Sequence, residues 1–343
     1  MPSLPFTGAL EPIQQLVKNL ATIKPKEAKV TVGLDLGSAA IKVIVLGARK
    51  GAGARPVIAQ NIVRLAEGQD ADPSDAIRQA LAGLHVTTHA VNLAVSGQWV
   101  IMRIVEMPAM KPAEMKQALP FEAQRYLPFN LQDVVIDGVV LGPAENNKHW
   151  VLIVACKKEL IDRRIDWIKR AGLEPALIDV DALALANAYL ASRNGSMGQN
   201  THALVAVGAR LSNLVIFKAG APYLVRDIPW GGDKLIRHIA EQTGTDTAAV
   251  AAALDKGELT SLAPALKSAT EALVTELQLS FDYFENRFGQ PPDGLLMTGG
   301  VSQVPGVVEA VKSYFTQSVS AWSPVEGLPA QFAVAYGLAL RTN

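Results

Sequence analysis

The stretch Val30–Leu46, VTVGLDLGSAAIKVIVL, decides the fold of this chain. Two apolar runs rich in β-branched residues flank a short break at Asp35-Leu36-Gly37-Ser38. This pattern predicts a strand, a tight turn and a second strand. An ordinary hairpin with a Gly-Ser turn fits the same letters, so the segment by itself leaves a structural and a functional interpretation open.

The functional interpretation is a phosphate-binding turn. Gly37 has no Cβ, so the backbone can approach a ligand closely, and successive N–H groups of a turn can bind an anion. Lys42, one strand later, places a compact positive charge within reach of phosphate oxygens. Asp35 is expected to hold a magnesium ion through water, since Mg²⁺ usually keeps part of its hydration shell.

Composition limits the function classes. The 343 residues predict about two domains, and 49% hydrophobic with 19% charged residues predicts a globular chain with a core. The 32 basic residues balance the 32 acidic ones, so no net field favours nucleic acid or anionic lipid. The single cysteine, Cys156, excludes an intrachain disulfide, and its apolar surroundings predict a packing residue instead of a nucleophile.

The N-terminal residues 1–29 differ from the remainder. Residues 9–24 have helical spacing of apolar side chains, which predicts an amphipathic helix that docks on a protein partner. A membrane surface, or the protein's own body, are the alternative docking partners. No uninterrupted apolar run approaches the ~18 residues of a membrane span, and the N-terminus lacks the pattern of a secretory signal.

Strand and helix patterns alternate through the first half, which predicts an α/β fold. Residues 103–172 are predicted to be a small αββα subdomain inserted into the first domain. Within it, a solvated helix face is predicted for the basic residues Lys157, Lys158, Arg163 and Arg164. The predicted strands are Pro56–Arg64, Ala90–Val95, Asp133–Leu141 and Trp150–Cys156, and the predicted helices are Asp72–Leu84, Lys111–Tyr126 and Lys157–Ala171.

The second half repeats the opening theme after a predicted linker at Arg193–Asn200. Ala203–Phe217 again predicts strand, glycine turn and strand, where a duplicated two-lobed fold would place them. Residues 244–290 are mostly helical in pattern. The other predicted elements are the strands Tyr223–Ile228 and Gly294–Met297 and the helices Asp233–Thr243, Val307–Phe315 and Ala330–Arg341.

The ordered motifs DLGSAAIK, VGARLSN, WGGDK and MTGGVSQVPGV resemble those of the actin/Hsp70/hexokinase ATPase superfamily. Within it, the block Val105–Asn130 and the segments IDVDALALANA and FAVAYGLALR resemble the PilM family, actin-like type IV pilus assembly proteins related to FtsA. The resemblance covers residues 30–343.

This family resemblance implies an α/β, two-lobed actin-like ATPase fold with a small inserted subdomain in the first lobe. The implied division is an N-terminal extension at 1–29, a first lobe at 30–102 and 173–200, the insertion at 103–172, and a second lobe at 201–343, helical at about 244–290.

The resemblance also implies an ATP site with Mg²⁺. Asp35 would hold the metal through water, and Asp181 stands where relatives keep an acid or glutamine that orients the attacking water. The nucleotide-binding positions implied in this way are Asp35, Gly37, Ser38, Lys42, Gly208, Ser212, Gly231, Gly232, Gly299 and Gly300.

Two departures from the family pattern affect catalysis. The second phosphate motif usually opens with an aspartate, and this chain has Ala206, whose methyl group neither holds a metal nor accepts a proton. The segment Thr247–Gly257 lacks the Glu…Lys pair expected for the ribose and base. We therefore expect weakened ATP binding and leave enzymatic activity open, with a conformational switch favoured over efficient hydrolysis.

The function implied by the resemblance is a cytoplasmic scaffold of type IV pilus assembly. Its expected partners are the N-terminal tail of a PilN-like inner-membrane protein, held in a groove between the inserted subdomain and its parent lobe, and other pilus assembly proteins. The expected groove residues are Glu122, Arg125, Tyr126 and Phe129.

The implied location is cytoplasmic, peripheral to the inner membrane through that partner. Three alternatives stay open: an ATPase of the same fold that drives assembly by hydrolysis, a type II secretion counterpart, and a protein that forms FtsA-like filaments. A sugar or acetate kinase is disfavoured by the PilM-like insertion.

Overall fold

A computed structural model describes residues 30–49, 54–65, 72–84, 86, 88–193, 200–257 and 262–342. The predicted helix at 9–24 lies outside the described residues, as does nearly all of the predicted linker Arg193–Asn200. The strands are β1 Thr31–Leu36, β2 Ala40–Leu46, β3 Val57–Arg64, β4 Ala90–Val95, β5 Val100–Pro108, β6 Val134–Ala144, β7 Lys148–Lys157, β8 Glu174–Val180, β9 His202–Val207, β10 Ser212–Lys218, β11 Ala221–Ile228, β12 Gly294–Thr298 and β13 Ser318–Ala321.

The described α-helices follow the strands in an α/β order. Short 3₁₀ turns occur at Leu131–Asp133, Val301–Gln303 and Ala330–Phe332. The helices are α1 Ser74–Leu81, α2 Pro112–Gln124, α3 Lys158–Arg170, α4 Asp181–Ser192, α5 Gly232–Thr243, α6 Thr247–Lys256, α7 Ala263–Phe288, α8 Val307–Lys312 and α9 Ala333–Leu340. Within the described part of the chain, no helix is long and apolar enough to cross a membrane.

Two five-stranded sheets have the same topology, which confirms the predicted duplication. The first has the strand order β3-β2-β1-β4-β8 and the second β11-β10-β9-β12-β13. In each sheet the first three strands along the chain are antiparallel, a fourth strand pairs in parallel with the first, and a fifth pairs in parallel with the fourth. Both predicted hairpins are present, as β1–β2 and β9–β10.

A third, antiparallel sheet of order β5-β7-β6 lies between β4 and β8 in the chain. Its edge strand β5 was not predicted. The buried side chains are Val100, Met102, Val105 and Met107. The two-residue alternation shifts phase between Met102 and Val105, so the sequence lacks the regular pattern of a half-buried strand. The edge strand β13, four residues long, was also not predicted.

Helix α3 packs against the first lobe beside α1. Ile168 of α3 is buried in one cluster with Ile77 of α1 and residues of the first sheet. The Ser74 hydroxyl donates to the Trp167 carbonyl at 3.1 Å, and Arg170 pairs with Asp72 at 2.8 Å. Helix α3 therefore anchors the end of the insertion to the first lobe.

The C-terminal helix α9 returns to the first sheet and crosses α4. A Cβ on Gly33 would overlap the backbone of Ala335. A Cβ on Gly337 would overlap the backbone of Ala184. The Asn92 amide group donates to the carbonyls of Leu338 and Arg341, both at 2.9 Å. Buried side chains of α4, α9, β9 and β10 share one cluster, so these two helices form the contact between the lobes.

We predict that Gly337→Ala destabilises the protein by about 2–3 kcal/mol, because the new methyl group would overlap the Ala184 carbonyl. In an unobstructed helix, the same change stabilises by roughly 0.5–1 kcal/mol. Urea unfolding would measure the effect. The control is Gly300→Ala, whose added Cβ meets no atom within 4 Å and whose φ is −63°. Equal stability of the two variants would contradict the prediction.

Candidate functional site

The β1–β2 turn brings Asp35 and Lys42 together as predicted from the spacing. They are cross-strand partners, and Lys42 Nζ donates to Asp35 Oδ2 at 2.8 Å. The two side chains are 10% and 18% exposed, so the pair is largely shielded from water. A Cβ on Gly37 would lie 2.9 Å from the Ala40 carbonyl oxygen and 3.0 Å from Lys42 Nζ. The turn therefore requires glycine, and Ser38 lies exposed beside it.

The β9–β10 turn of the second lobe packs against the start of α5. Gly232 N donates to the Gly208 carbonyl at 3.0 Å, and Asp233 N donates to the Ala209 carbonyl at 2.9 Å. The backbone of Ala209 fills the position of a Cβ on Gly231. Three of the predicted nucleotide-binding glycines thus meet at one edge of the second sheet.

The turn after β12 reaches the same edge. Gly299 has φ +91° and packs against the backbone of Val207, which excludes any side chain at that position. Gly300 is exposed, with open space around its Cα. Since β9 and β12 are parallel, their carboxyl ends meet here, the usual place for ligands in such sheets. The predicted glycines therefore gather on the second lobe.

Ser212 has a structural contact. Its buried hydroxyl donates to the Trp230 carbonyl at 2.7 Å and so ties β10 to the loop before α5. Ser212, one of the predicted nucleotide-binding residues, therefore stabilises the β9–β10 turn. Its hydroxyl hydrogen already bonds to a backbone carbonyl in this structure.

Asp181 is the first residue of α4 and lies where the lobes meet. The pKa of Asp181 is raised to about 7, first by burial and then by the neighbouring carboxylates of Asp35 and Asp227, against the lowering effects of Ser96 and Arg164. A carboxyl group with this pKa exchanges its proton near neutral pH, which is the property a general base needs.

Sequence reasoning missed Asp227 on β11. Its Oδ2 accepts from Gly97 N of the β4–β5 turn at 2.7 Å, and its Oδ1 accepts from Asn213 Nδ2, also at 2.7 Å. Ala206, Asn213 and Asp227 are aligned across β9, β10 and β11. The second lobe therefore has its buried carboxyl group two strands from the alanine, and burial raises the pKa of that group. No motif marks it, because only the strand register reveals the alignment.

The two arginines of the predicted basic helix face differ in their exposure to solvent. Arg163 is exposed as predicted, but Arg164 turns inward, and its Nη1 donates to the Leu36 carbonyl at 3.4 Å. The prediction of a solvated face was wrong for Arg164, since it lies four residues from both Leu160 and Ile168, which are buried.

Cys156 belongs to the hydrophobic cluster that α4 and α9 share. Cys156 is buried, and burial raises the pKa of its thiol to about 11, so it is a packing residue as predicted. The described residues contain no cluster of three or more His, Cys, Asp or Glu side chains arranged for a metal ion.

A groove of about 790 Å³ separates the inserted sheet from the second lobe. Glu122, Arg125 and Tyr126 line it, so the structure brings three of the four expected partner-binding residues together. The opposite wall of the groove consists of β11 and α7 of the second lobe. The expected position of the groove was between the insertion and its parent first lobe. Phe129 lies outside the groove, 5.9 Å from the Trp99 ring and 4.7 Å from Lys157 Nζ.

The groove exposes one edge of β5. The Ile104 carbonyl accepts from Arg287 Nη2 at 3.0 Å, and the Met102 carbonyl accepts from Arg103 Nη1 at 2.9 Å. On this side, two arginine side chains bond the carbonyls that a neighbouring strand would otherwise use. Tyr126 donates its hydroxyl to Glu122 at 3.1 Å across the same wall.

Comparisons with known proteins agree with this architecture. The family model for "Type IV pilus assembly protein PilM" matches residues 33–343. The chain is similar to a solved PilM–PilN type IV pilus biogenesis complex, with 23% identity and a TM-score of 0.80 over 92% of this chain and 98% of that one.

Two further solved structures resemble the chain. One is a Bacteroides thetaiotaomicron protein with an actin-like ATPase fold, at 11% identity and a TM-score of 0.51 over 92% of this chain and 97% of that one. The other is MreB5 of Spiroplasma citri bound to ADP, at 13% identity and a TM-score of 0.51 over 92% and 96%. The α/β actin-like ATPase fold is thereby confirmed.

The raised pKa of Asp181 predicts a pH-dependent stability. The unfolded chain ionises this carboxyl near its ordinary value of 3.8, whereas the folded protein keeps the proton until about pH 7. Ionisation therefore opposes folding, and the contribution present below pH 3.8 is lost as the pH rises through 7. We expect the stability of Asp181→Asn relative to wild type to rise by on the order of 1–3 kcal/mol between pH 4 and pH 8.

Urea titrations at several pH values would measure this change. Asp162→Asn, an exposed aspartate on α3, is the control and should show a constant difference from wild type across the range. A constant difference for Asp181→Asn as well would disprove the assignment.

Proposed function

This chain belongs to the family of type IV pilus assembly protein PilM, and we propose that it is a scaffold that binds the cytoplasmic N-terminal tail of a PilN-like inner-membrane protein. In this proposal the chain is cytoplasmic, is held at the inner membrane through that partner, and contacts other pilus assembly proteins. The similar solved complex contains PilM with PilN, which supports the choice of partner.

The observation that carries the proposal is the groove beside β5. An extended tail can add to an exposed strand edge, where backbone hydrogen bonds supply affinity and side-chain pockets supply specificity. The arginines that now bond the Met102 and Ile104 carbonyls would move aside for the N–H groups of the tail. The edge is therefore available without any change in the sheet.

The groove lining suits an apolar tail with polar ends. Aromatic and aliphatic walls come from Tyr126, Tyr223 and Leu279, and Leu279 is 56% exposed. A solvent-exposed leucine and nearby tyrosines are the kind of surface on which partner side chains bury area. The charged lining residues are Arg103, Glu106, Glu122, Arg125, Arg226 and Arg287.

We predict that Leu279→Asp weakens the binding of a synthetic peptide copying the tail of the organism's PilN-like protein by about tenfold or more, because it places a charge in an apolar wall. Calorimetry would measure the affinity. Phe121→Asp is the matched control, since Phe121 is 75% exposed on α2 but does not line the groove. Equal affinity of wild type and Leu279→Asp would contradict the groove, and a folded wild type without affinity for the peptide would contradict the partner.

We further propose that ATP acts as a conformational switch of this scaffold. The cleft is here the space around Asp181 between the β1–β2 turn of the first lobe and the glycine turns of the second lobe. Its residues fit a nucleotide: a glycine turn that a Cβ would fill, Lys42 beside it, and the glycine turns of the second lobe. In the similar MreB5 structure the ligand is ADP. Residues of both lobes line the cleft, so a ligand that contacts the two lobes at once favours the arrangement in which they lie close together.

Ala206 is the residue of the cleft that disfavours hydrolysis. It is 5% exposed and has Asn213 as its cross-strand neighbour, so no carboxylate stands at this position. When bound, Mg²⁺ would neutralise phosphate charge, and Asp35 is the residue of the first turn that would hold it through water. With one carboxylate fewer, we infer that magnesium contributes little to nucleotide affinity and that turnover is slow.

We therefore predict that Ala206→Asp makes ATP binding more dependent on magnesium. The ratio of ATP affinity in Mg²⁺ to that in EDTA should rise about tenfold, because the new carboxylate adds a ligand on the second lobe. Calorimetric titration of both variants would give the ratio. Ala206→Asn, of equal size but uncharged, should leave it unchanged. A ratio that stays the same in Ala206→Asp would show that Ala206 does not limit the site.

A further inference from the structure

Arg164 projects from α3 toward the first phosphate turn. It lies on the buried face of that helix with Leu160 and Ile168, four residues away on either side. Its Nη1 reaches the carbonyl of Leu36, the residue that precedes Gly37. The guanidinium group therefore lies at the β1–β2 turn although α3 belongs to the inserted segment.

The guanidinium group has few partners in this position. Its Nε is buried and has no hydrogen-bond partner among the described residues, and the 3.4 Å bond to Leu36 is long. An arginine presents five N–H donors, and buried donors are nearly always paired in native proteins. An unpaired donor beside a predicted phosphate turn therefore indicates a ligand with strong acceptors.

Among the described residues, no carboxylate forms a hydrogen bond with Arg164, so the nearby negative charges act on it only at longer range. Asp181 and Asp35 interact with it electrostatically, and the Lys42 ammonium already pairs with Asp35 at 2.8 Å. The Trp167 ring lies 5.1 Å from the guanidinium carbon and restricts the plane of the group. Arg164 is thus a preorganised cation whose flat edge remains available.

We propose that Arg164 is a phosphate-binding residue of the cleft, which donates to the terminal phosphate of a bound nucleoside triphosphate. This inference rests on the proposed nucleotide switch. A planar guanidinium fork matches the oxygens of a phosphate and binds them with charge-assisted hydrogen bonds. It adds a second side-chain cation beside Lys42 in a cleft where Ala206 leaves one carboxylate fewer for a metal.

A purely structural role makes a different prediction. If Arg164 only balanced Asp181 and Asp35, its removal would change stability and its pH dependence, and ADP and ATP would be affected alike. A contact with the terminal phosphate instead changes the preference for ATP over ADP. The ratio of the two affinities is therefore the decisive quantity.

The experiment compares Arg164→Met with Arg163→Met by calorimetry with ATP and with ADP, in EDTA and in Mg²⁺. Arg163 is exposed, is adjacent in sequence and also lies over Trp167, at 5.6 Å, so it controls for charge and for ring contacts. We expect Arg164→Met to lower the affinity for ATP about tenfold or more and that for ADP much less, with the larger effect in EDTA. Arg163→Met should bind as wild type does.

Further variants and a second ligand keep the result interpretable. Arg164→Lys, which keeps the charge and loses the fork, should restore part of the affinity for ATP and serves if Arg164→Met does not fold. An unchanged ATP affinity, or an equal loss for ATP and ADP, would overturn the assignment. If the folded wild type binds the tail peptide but neither nucleotide, the switch and the role of Arg164 both fail while the scaffold function stands.

Discussion

The rest of the structure depends on the backbone contact between α9 and its neighbours. Gly337 meets Ala184 of α4, and Gly33 of β1 meets Ala335 and Ala339 of α9, with no room for a Cβ at either glycine. This close approach brings the C-terminal helix back to the first sheet and fixes α4 between the lobes. Since Asp181 begins α4, the same packing places its carboxyl group in the cleft.

The cleft holds opposite charges, buried or half-buried, that neither lobe supplies alone. Asp35, Lys42 and Arg164 come from the first lobe and the end of the insertion, and Asp227 comes from the second lobe. Asp227 accepts a hydrogen bond from Gly97 and so joins the lobes directly. An anion that pairs with the cations of the cleft would change this balance, which gives the proposed nucleotide switch a physical basis.

The cleft and the groove are connected through one short turn. Ser96 interacts with Asp181, Gly97 binds Asp227, and β5 begins at Val100 and lines the groove from Met102 onward. Only five residues therefore lie between Ser96 at the cleft and Met102 at the edge where a tail would add. In the proposed switch, a movement of the lobes would shift this turn and with it the wall of the groove.

The sequence by itself determined the two hairpins, the glycine turns and the α/β order, because strand alternation, glycine and helical spacing are local properties. Asp35 and Lys42 were predicted at one phosphate turn for the same reason, whereas their ion pair is seen only in the structure. Tertiary structure alone decided that Asp227 aligns with Ala206, that Ser212 bonds Trp230, and that the groove faces the second lobe. These depend on strand register between distant segments and on how the lobes pack, and local residue patterns do not encode either.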